Sequence, residues 1–106
     1  MKIYLAGPMT GIEDFNFPAF LKKGQELEDA GHTVFNPAKA DLEEWGTLEE
    51  VKAKATYRVC LKKDLLWILD HAEAIYLLKG WENSKGVAAD LALSKALGLE
   101  VMYEQQ

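Results

Sequence analysis

Two aspartates stand where helical apolar patterns call for hydrophobic side chains. Asp64 lies in Tyr57-Arg58-Val59-Cys60-Leu61-Lys62-Lys63-Asp64-Leu65-Leu66-Trp67-Ile68. At the helical period Tyr57, Cys60, Leu61, Asp64 and Ile68 share one face, with the acid near its middle. Asp90 lies in Gly86-Val87-Ala88-Ala89-Asp90-Leu91-Ala92-Leu93, a segment apolar almost all round and therefore expected to be buried. Burying an unpaired carboxylate is expensive, so acids in this pattern point to a partner, a ligand or a reaction. We read the pair as the centre of an active site; the other reading is two solvated or salt-bridged helix acids. Tyr4 joins them as a third candidate, because its hydroxyl is the one polar tip of the first apolar strand. It either reaches the same site or is a core tyrosine.

The elements that would position these groups follow from the chain. Lys2–Ala6 reads as a strand, followed by the turn-rich loop Gly7-Pro8-Met9-Thr10-Gly11. A helix begins at Pro18, turns Phe20, Leu21, Gly24 and Leu27 inward, and ends at Gly31. Thr33–Phe35 is a second strand, stopped by Asn36-Pro37. Residues 38–46 are expected to be a connecting loop carrying Trp45 and Gly46. Thr47 and Glu50 form a capping box that opens one long, bent helix lasting to about His71. Ala74–Leu78 suits a strand covered on both faces. Gly80–Gly86 is the next loop, Ser84 caps a helix to Leu97, Gly98 closes it, and Leu99–Tyr103 is the last strand.

Strands alternating with helices predict an α/β fold, a small doubly wound parallel sheet of four strands in the order 2-1-3-4 with helices on both faces. Ligands in such sheets bind at the switch point beyond the strands' carboxyl ends. That rim holds the candidate substrate-binding residues: Gly7, Pro8, Met9 and Gly11 from the first loop, Asn36 from the second, and Trp81, Ser84 and Gly86 from the third. Ser84 and the N–H groups at its helix start suit a phosphate or hydroxyl, or simply an unliganded cap. Phe15, Phe17, Trp45 and Trp81 are candidates for stacking on a planar ligand or for ordinary packing.

Composition narrows the partners. At 106 residues, 49% hydrophobic and 27% charged, the chain suits one globular domain with a single core, residues 1–106 throughout. A net charge of −5 argues against a nucleic-acid polymer, which needs a basic surface, while leaving a small nucleotide open. The lone Cys60 excludes an intrachain disulfide, and His32 and His71 lack metal-ligand spacing, so no metal is expected. With no membrane-length apolar run and no leader pattern, no membrane is expected as partner and the cytoplasm is the expected location. The apolar surfaces of the long helix and the last helix exceed what four strands cover, which predicts a homo-oligomer.

Five segments, taken in order, carry a resemblance to a known family: Ile3-Tyr4-Leu5-Ala6-Gly7-Pro8-Met9-Thr10-Gly11, Asn16-Phe17-Pro18-Ala19-Phe20, Gly31-His32-Thr33-Val34-Phe35-Asn36-Pro37-Ala38, Asp64-Leu65-Leu66-Trp67-Ile68, and Gly80-Trp81-Glu82-Asn83-Ser84-Lys85-Gly86. Over nearly its whole length the chain resembles the nucleoside 2-deoxyribosyltransferase superfamily, especially its small phage-like members. The resemblance implies an N-glycosidase or transferase acting on a (deoxy)nucleoside or its 5′-monophosphate, without a cofactor. It implies that Tyr4 orients a catalytic carboxylate, that Asp64 contacts the sugar and helps protonate the leaving base, and that Ser84 binds a 5′-phosphate. The nucleophile of the family is a glutamate; at that position this chain has Asp90, a carboxylate roughly 1.5 Å shorter in reach. A catalytically silent nucleotide-binding module of the same fold is the alternative.

Overall fold

The computed structural model describes residues 1–105. Four parallel strands, β1 (Lys2–Ala6), β2 (Thr33–Phe35), β3 (Ala74–Leu77) and β4 (Glu100–Tyr103), form one sheet in the order β2-β1-β3-β4. Register places Tyr4 beside Phe35 on one side and Ile75 on the other. This is the small doubly wound sheet expected from the alternation of strand and helix patterns.

The helices are α1 (Phe17–Asp29), α2 (Pro37–Trp45), α3 (Leu48–Lys54), α4 (Tyr57–His71) and α5 (Lys85–Ala96). Because side chains alternate along a strand, β1 feeds two apolar layers. Tyr4 and Ala6 pack with Ile68 of α4 and Val87 of α5, whereas Leu5 packs with Phe17 and Phe20 of α1, Ala38 of α2 and Val51 of α3. The sheet is thus covered on both faces, and β1 is its buried axis.

Two segments differ from the sequence-based expectation. Residues 38–46 are not a loop but almost entirely the helix α2. Asn36 is its N-cap, accepting at Oδ1 from the N–H of Ala38 (3.1 Å) and Lys39 (3.4 Å), and Pro37 occupies the first turn. The same Asn-Pro pair that stops β2 therefore starts a helix, since a proline needs no N–H donor there. The helix expected from Thr47 to His71 is divided in two. Thr47 caps α3 through the N–H of Glu50 (3.2 Å), and Thr56 caps α4 through the N–H of Val59 (3.3 Å), with Ala55 and Thr56 extended between them. The Thr56 hydroxyl offers the backbone a partner that competes with helix continuation, and the chain breaks there.

Gly24 has a packing reason to lack a side chain. A Cβ at that position would collide with the Asn36 amide, whose Nδ2 donates to the carbonyl of Phe20 (2.8 Å). The contact ties α1 to the start of α2.

Candidate active site

A cavity of about 250 Å³ opens above the carboxyl end of β1. One wall comes from α4 and α5 and carries Tyr57, Cys60, Leu61 and Asp64 from the first helix and Gly86, Val87 and Asp90 from the second. Tyr4, Ala6 and Gly7 form its floor. The face Tyr57–Cys60–Leu61–Asp64 predicted from helical spacing is the face that lines the cavity. Ile68, one turn further on, is fully buried in the core.

Asp64 and Asp90 therefore meet in one hollow, together with Tyr4. Asp90 is only 4% exposed, and its Oδ1 has no hydrogen-bond partner among the described residues. Buried acids normally find donors, so this oxygen is an unpaired acceptor in a residue of the cavity wall. Burial is the main force pushing both carboxyl groups up to about 7. The Asp64 charge adds to the rise at Asp90, and the Asp41 charge adds to it at Asp64. The Tyr4 hydroxyl acts the other way, as a single donor that favours the ionised form of the acid it serves. Tyr4 itself is held well above the ordinary tyrosine range, by burial first and then by the charges of Asp90 and Asp64, so it stays a phenol and a donor. Its ring is fixed against Phe35 (centroids 5.6 Å apart) and Trp67 (6.5 Å).

At the mouth of this wall Ser84 accepts from the N–H of Val87 (3.3 Å), capping α5 as its sequence position implies. A Cβ on Gly86 would lie 3.9 Å from the Ser84 Oγ and 4.0 Å from the Tyr57 hydroxyl, so both hydroxyls flank the helix start. Tyr57 is 59% exposed and stands at the entrance.

The opposite wall comes from the loop after β1, from α1 and from α2 and α3. Met9, Thr10, Phe15, Phe17 and Phe20 supply one part, and Pro37, Asp41, Val51, Lys52, Ala55 and Thr56 the other. Phe15 sits in a left-handed stretch, Asp14–Asn16 (φ 53°, 53° and 60°), and Lys52 lies over its ring at 5.6 Å. Asp41 is 7% exposed, and burial pushes its carboxyl up to about 6, with Lys63 opposing the rise. Cys60 is raised to about 11, chiefly by burial, and is a thiol at neutral pH. No group of three or more His, Cys, Asp or Glu side chains among the described residues is arranged to hold a metal ion.

The rim residues divide. Gly7, Met9, Ser84 and Gly86 line the cavity; Pro8, Gly11, Asn36 and Trp81 do not. Asn36 is buried and commits its amide oxygen to capping α2 and an N–H to Phe20. Pro8 is buried under Gly80 and accepts from Asn16 Nδ2 (3.0 Å), whereas Gly11 (φ +83°) serves an exposed turn. Trp81 packs on the core beside Tyr103, ring centroids 5.8 Å apart. Of the four candidate stacking aromatics, Phe15 and Phe17 face the cavity, while Trp45 instead carries Lys63 over its ring at 5.1 Å.

Asp41 and its helix went unseen in the sequence because residues 38–46 read as loop. The signal was present: Asn-Pro as cap and first turn, then Pro37, Ala38, Asp41 and Trp45 at helical spacing, with Gly46 in the left-handed region at the end (φ +92°).

No helix among the described residues is long and apolar enough to cross a membrane. No curated protein matches the chain. A family model described as a domain of unknown function (DUF4406) matches residues 1–103, and the chain belongs to that family.

Proposed function

We propose that this protein cleaves the N-glycosidic bond of a (deoxy)nucleoside or its 5′-monophosphate, with Asp90 as nucleophile and Asp64 as acid–base. The observation that carries the reading is the convergence of a buried carboxyl group, a half-buried one and a buried tyrosine on one cavity, with an Asp90 oxygen left unpartnered. The resemblance to nucleoside 2-deoxyribosyltransferases supports the same chemistry.

Two acids raised to about 7 in contact with one site titrate as a pair. Near neutral pH the pair holds about one proton, which supplies one nucleophile and one acid. A carboxylate oxygen of Asp90 attacks C1′ as the C1′–N bond breaks through an oxocarbenium-like transition state. The proton on Asp64 passes to the departing base, whose nitrogen keeps the bonding pair. Water then attacks C1′ of the glycosyl ester, gives its proton to Asp64, and releases Asp90 as carboxylate. A second base in place of water makes the reaction a transfer. Tyr4 is a positioning residue, its single hydroxyl proton offered to whichever acid is ionised, and Ser84 with the start of α5 faces the 5′ group.

A binding-only module is the second reading, favoured by the aspartate at position 90. Its reach is roughly 1.5 Å less than a glutamate's, and misplacement of about 1 Å costs on the order of a hundredfold in rate. Chromatography of reactions with each common deoxynucleoside and its monophosphate separates the two. Free base released above the blank, and lost in Asp90→Asn, is the expected result. No base from any substrate, with binding retained, leaves the silent module.

The same reading includes a cytoplasmic homo-oligomer. Val59, Leu66 and Leu69 of α4 are 46%, 47% and 53% exposed, an apolar stripe that a second copy would cover. Light scattering showing a monomer at micromolar concentration would contradict it.

A further inference from the structure

The part of the cavity wall built by α2 contains a buried carboxylate for which the glycosidic mechanism has no use. Around Asp41 that wall is apolar: Phe15, Phe17, Pro37 and Val51 line it. Asp41 projects into the cavity from the first turns of α2 and is 7% exposed. Its cationic neighbour, Lys63, stands 3.9 Å from Oδ1, beyond hydrogen-bond length, and is bonded to Glu44 instead. A carboxylate so placed accepts hydrogen bonds and donates none, and the long Lys63 pair leaves most of its acceptor capacity unused. An aromatic-walled slot with one acceptor-only group at its side suits a planar heterocycle that presents N–H donors along one edge.

We propose that Asp41 selects the base, and that the preferred substrate carries guanine or another base with two adjacent N–H donors. The inference rests on the nucleoside reading of the site. The two carboxylate oxygens of Asp41 match the N1–H and N2–H pair of guanine in a two-bond contact. Adenine and cytosine offer one amino group beside a ring nitrogen whose lone pair repels the carboxylate. Thymine and uracil place carbonyl oxygens on both sides of their single N–H. A site built to bond a donor rejects the analogue lacking it far more strongly than an apolar pocket distinguishes shapes. Asp41 is therefore a specificity-determining residue, distinct from the reacting pair on α4 and α5.

The test is calorimetric titration of the intact chain with 2′-deoxyguanosine and 2′-deoxyinosine, which differ only in the 2-amino group. The expected result is binding of deoxyguanosine tighter by about tenfold or more, with the ratio falling towards one in Asp41→Asn. The wild-type comparison stands by itself should that variant misfold. Equal affinities in the wild type, or a preference for deoxyguanosine unchanged in a folded Asp41→Asn, overturn the assignment. If deoxyguanosine is preferred and Asp41-dependent but no base is ever released, the catalytic reading fails and the assignment stands. If neither nucleoside binds, both fail.

Discussion

The acid wall of the cavity is made from the two helices that also clamp the sheet, whereas the facing wall is made from two short ones. The 15 residues of α4 and 12 of α5 pack on the same face of β1, and Ile68 and Val87 anchor them in the layer that holds Tyr4. Facing them, α2 and α3 have 9 and 7 residues, separated by Gly46 and followed by the break at Ala55–Thr56. Reacting groups need placement to within a fraction of an ångström, which long packed elements provide. Recognition tolerates more adjustment, and short capped helices at a cavity edge suit it. Under the proposed function, this division gives chemistry to α4 and α5 and discrimination to α2.

Substitutions on the two walls should then fail in different ways. The largest effect is expected from Asp90→Asn, which keeps shape but removes the nucleophile. Base release should fall by on the order of a thousandfold or more, with the circular dichroism spectrum unchanged. Asp64→Asn should cost about 10² to 10⁴. In the wild type, kcat/KM should be bell-shaped with a maximum near pH 7. Below that both acids are protonated and the nucleophile is lost; above it both are ionised and the leaving base has no proton donor. Asp64→Asn should abolish the alkaline limb and leave the acidic one.

The same variants should be more stable than the wild type. Carboxyl groups raised to about 7 in the folded state bind protons more tightly there than in the unfolded chain. Their effect on stability is therefore harmless below about pH 4 and grows as pH rises towards 7. Thermal melts should show Asp90→Asn ahead of the wild type by about 2 kcal/mol at pH 8, and by less at pH 5. An opposite result of similar size is expected from Gly24→Ala. The new methyl displaces the Asn36 amide and loosens the start of α2, costing about 1–3 kcal/mol. Discrimination between bases should suffer in that variant before base release does. Equal loss of both would erase the distinction between the walls.

The chain declared its acid wall plainly. Asp64 interrupts a helical apolar face, Asp90 sits in a helix apolar all round, and Ser84 stands at the expected cap, so burial and proximity to the strand ends followed from periodicity. The order β2-β1-β3-β4 followed from alternating strand and helix patterns under the handedness rule. The facing wall was harder to read because its helices are short and their apolar stripes thin. Asn36-Pro37 signals both a strand end and a helix start; read as a strand end alone, it gives Asp41 no helix to bury it. Asn36 looked like a ligand residue because a polar side chain at a sheet rim serves equally well as a cap. Trp45 and Trp81 illustrate a further limit, since residue type marks an aromatic as able to stack, while only packing decides against what. That Lys63 would bond Glu44 closely and Asp41 only at 3.9 Å depends on contacts between α2 and α4 that no local pattern encodes.

The central claim is that Asp64 and Asp90 share one buried site and titrate together near neutrality. Carboxyl ¹³C chemical shifts followed by NMR across pH 3–9 measure this directly. Midpoints near 7 for both acids, with that of Asp90 falling when Asp64 is replaced by Asn, are the predicted result. Two independent midpoints near 4, each indifferent to the other residue, would show solvated acids and contradict the account.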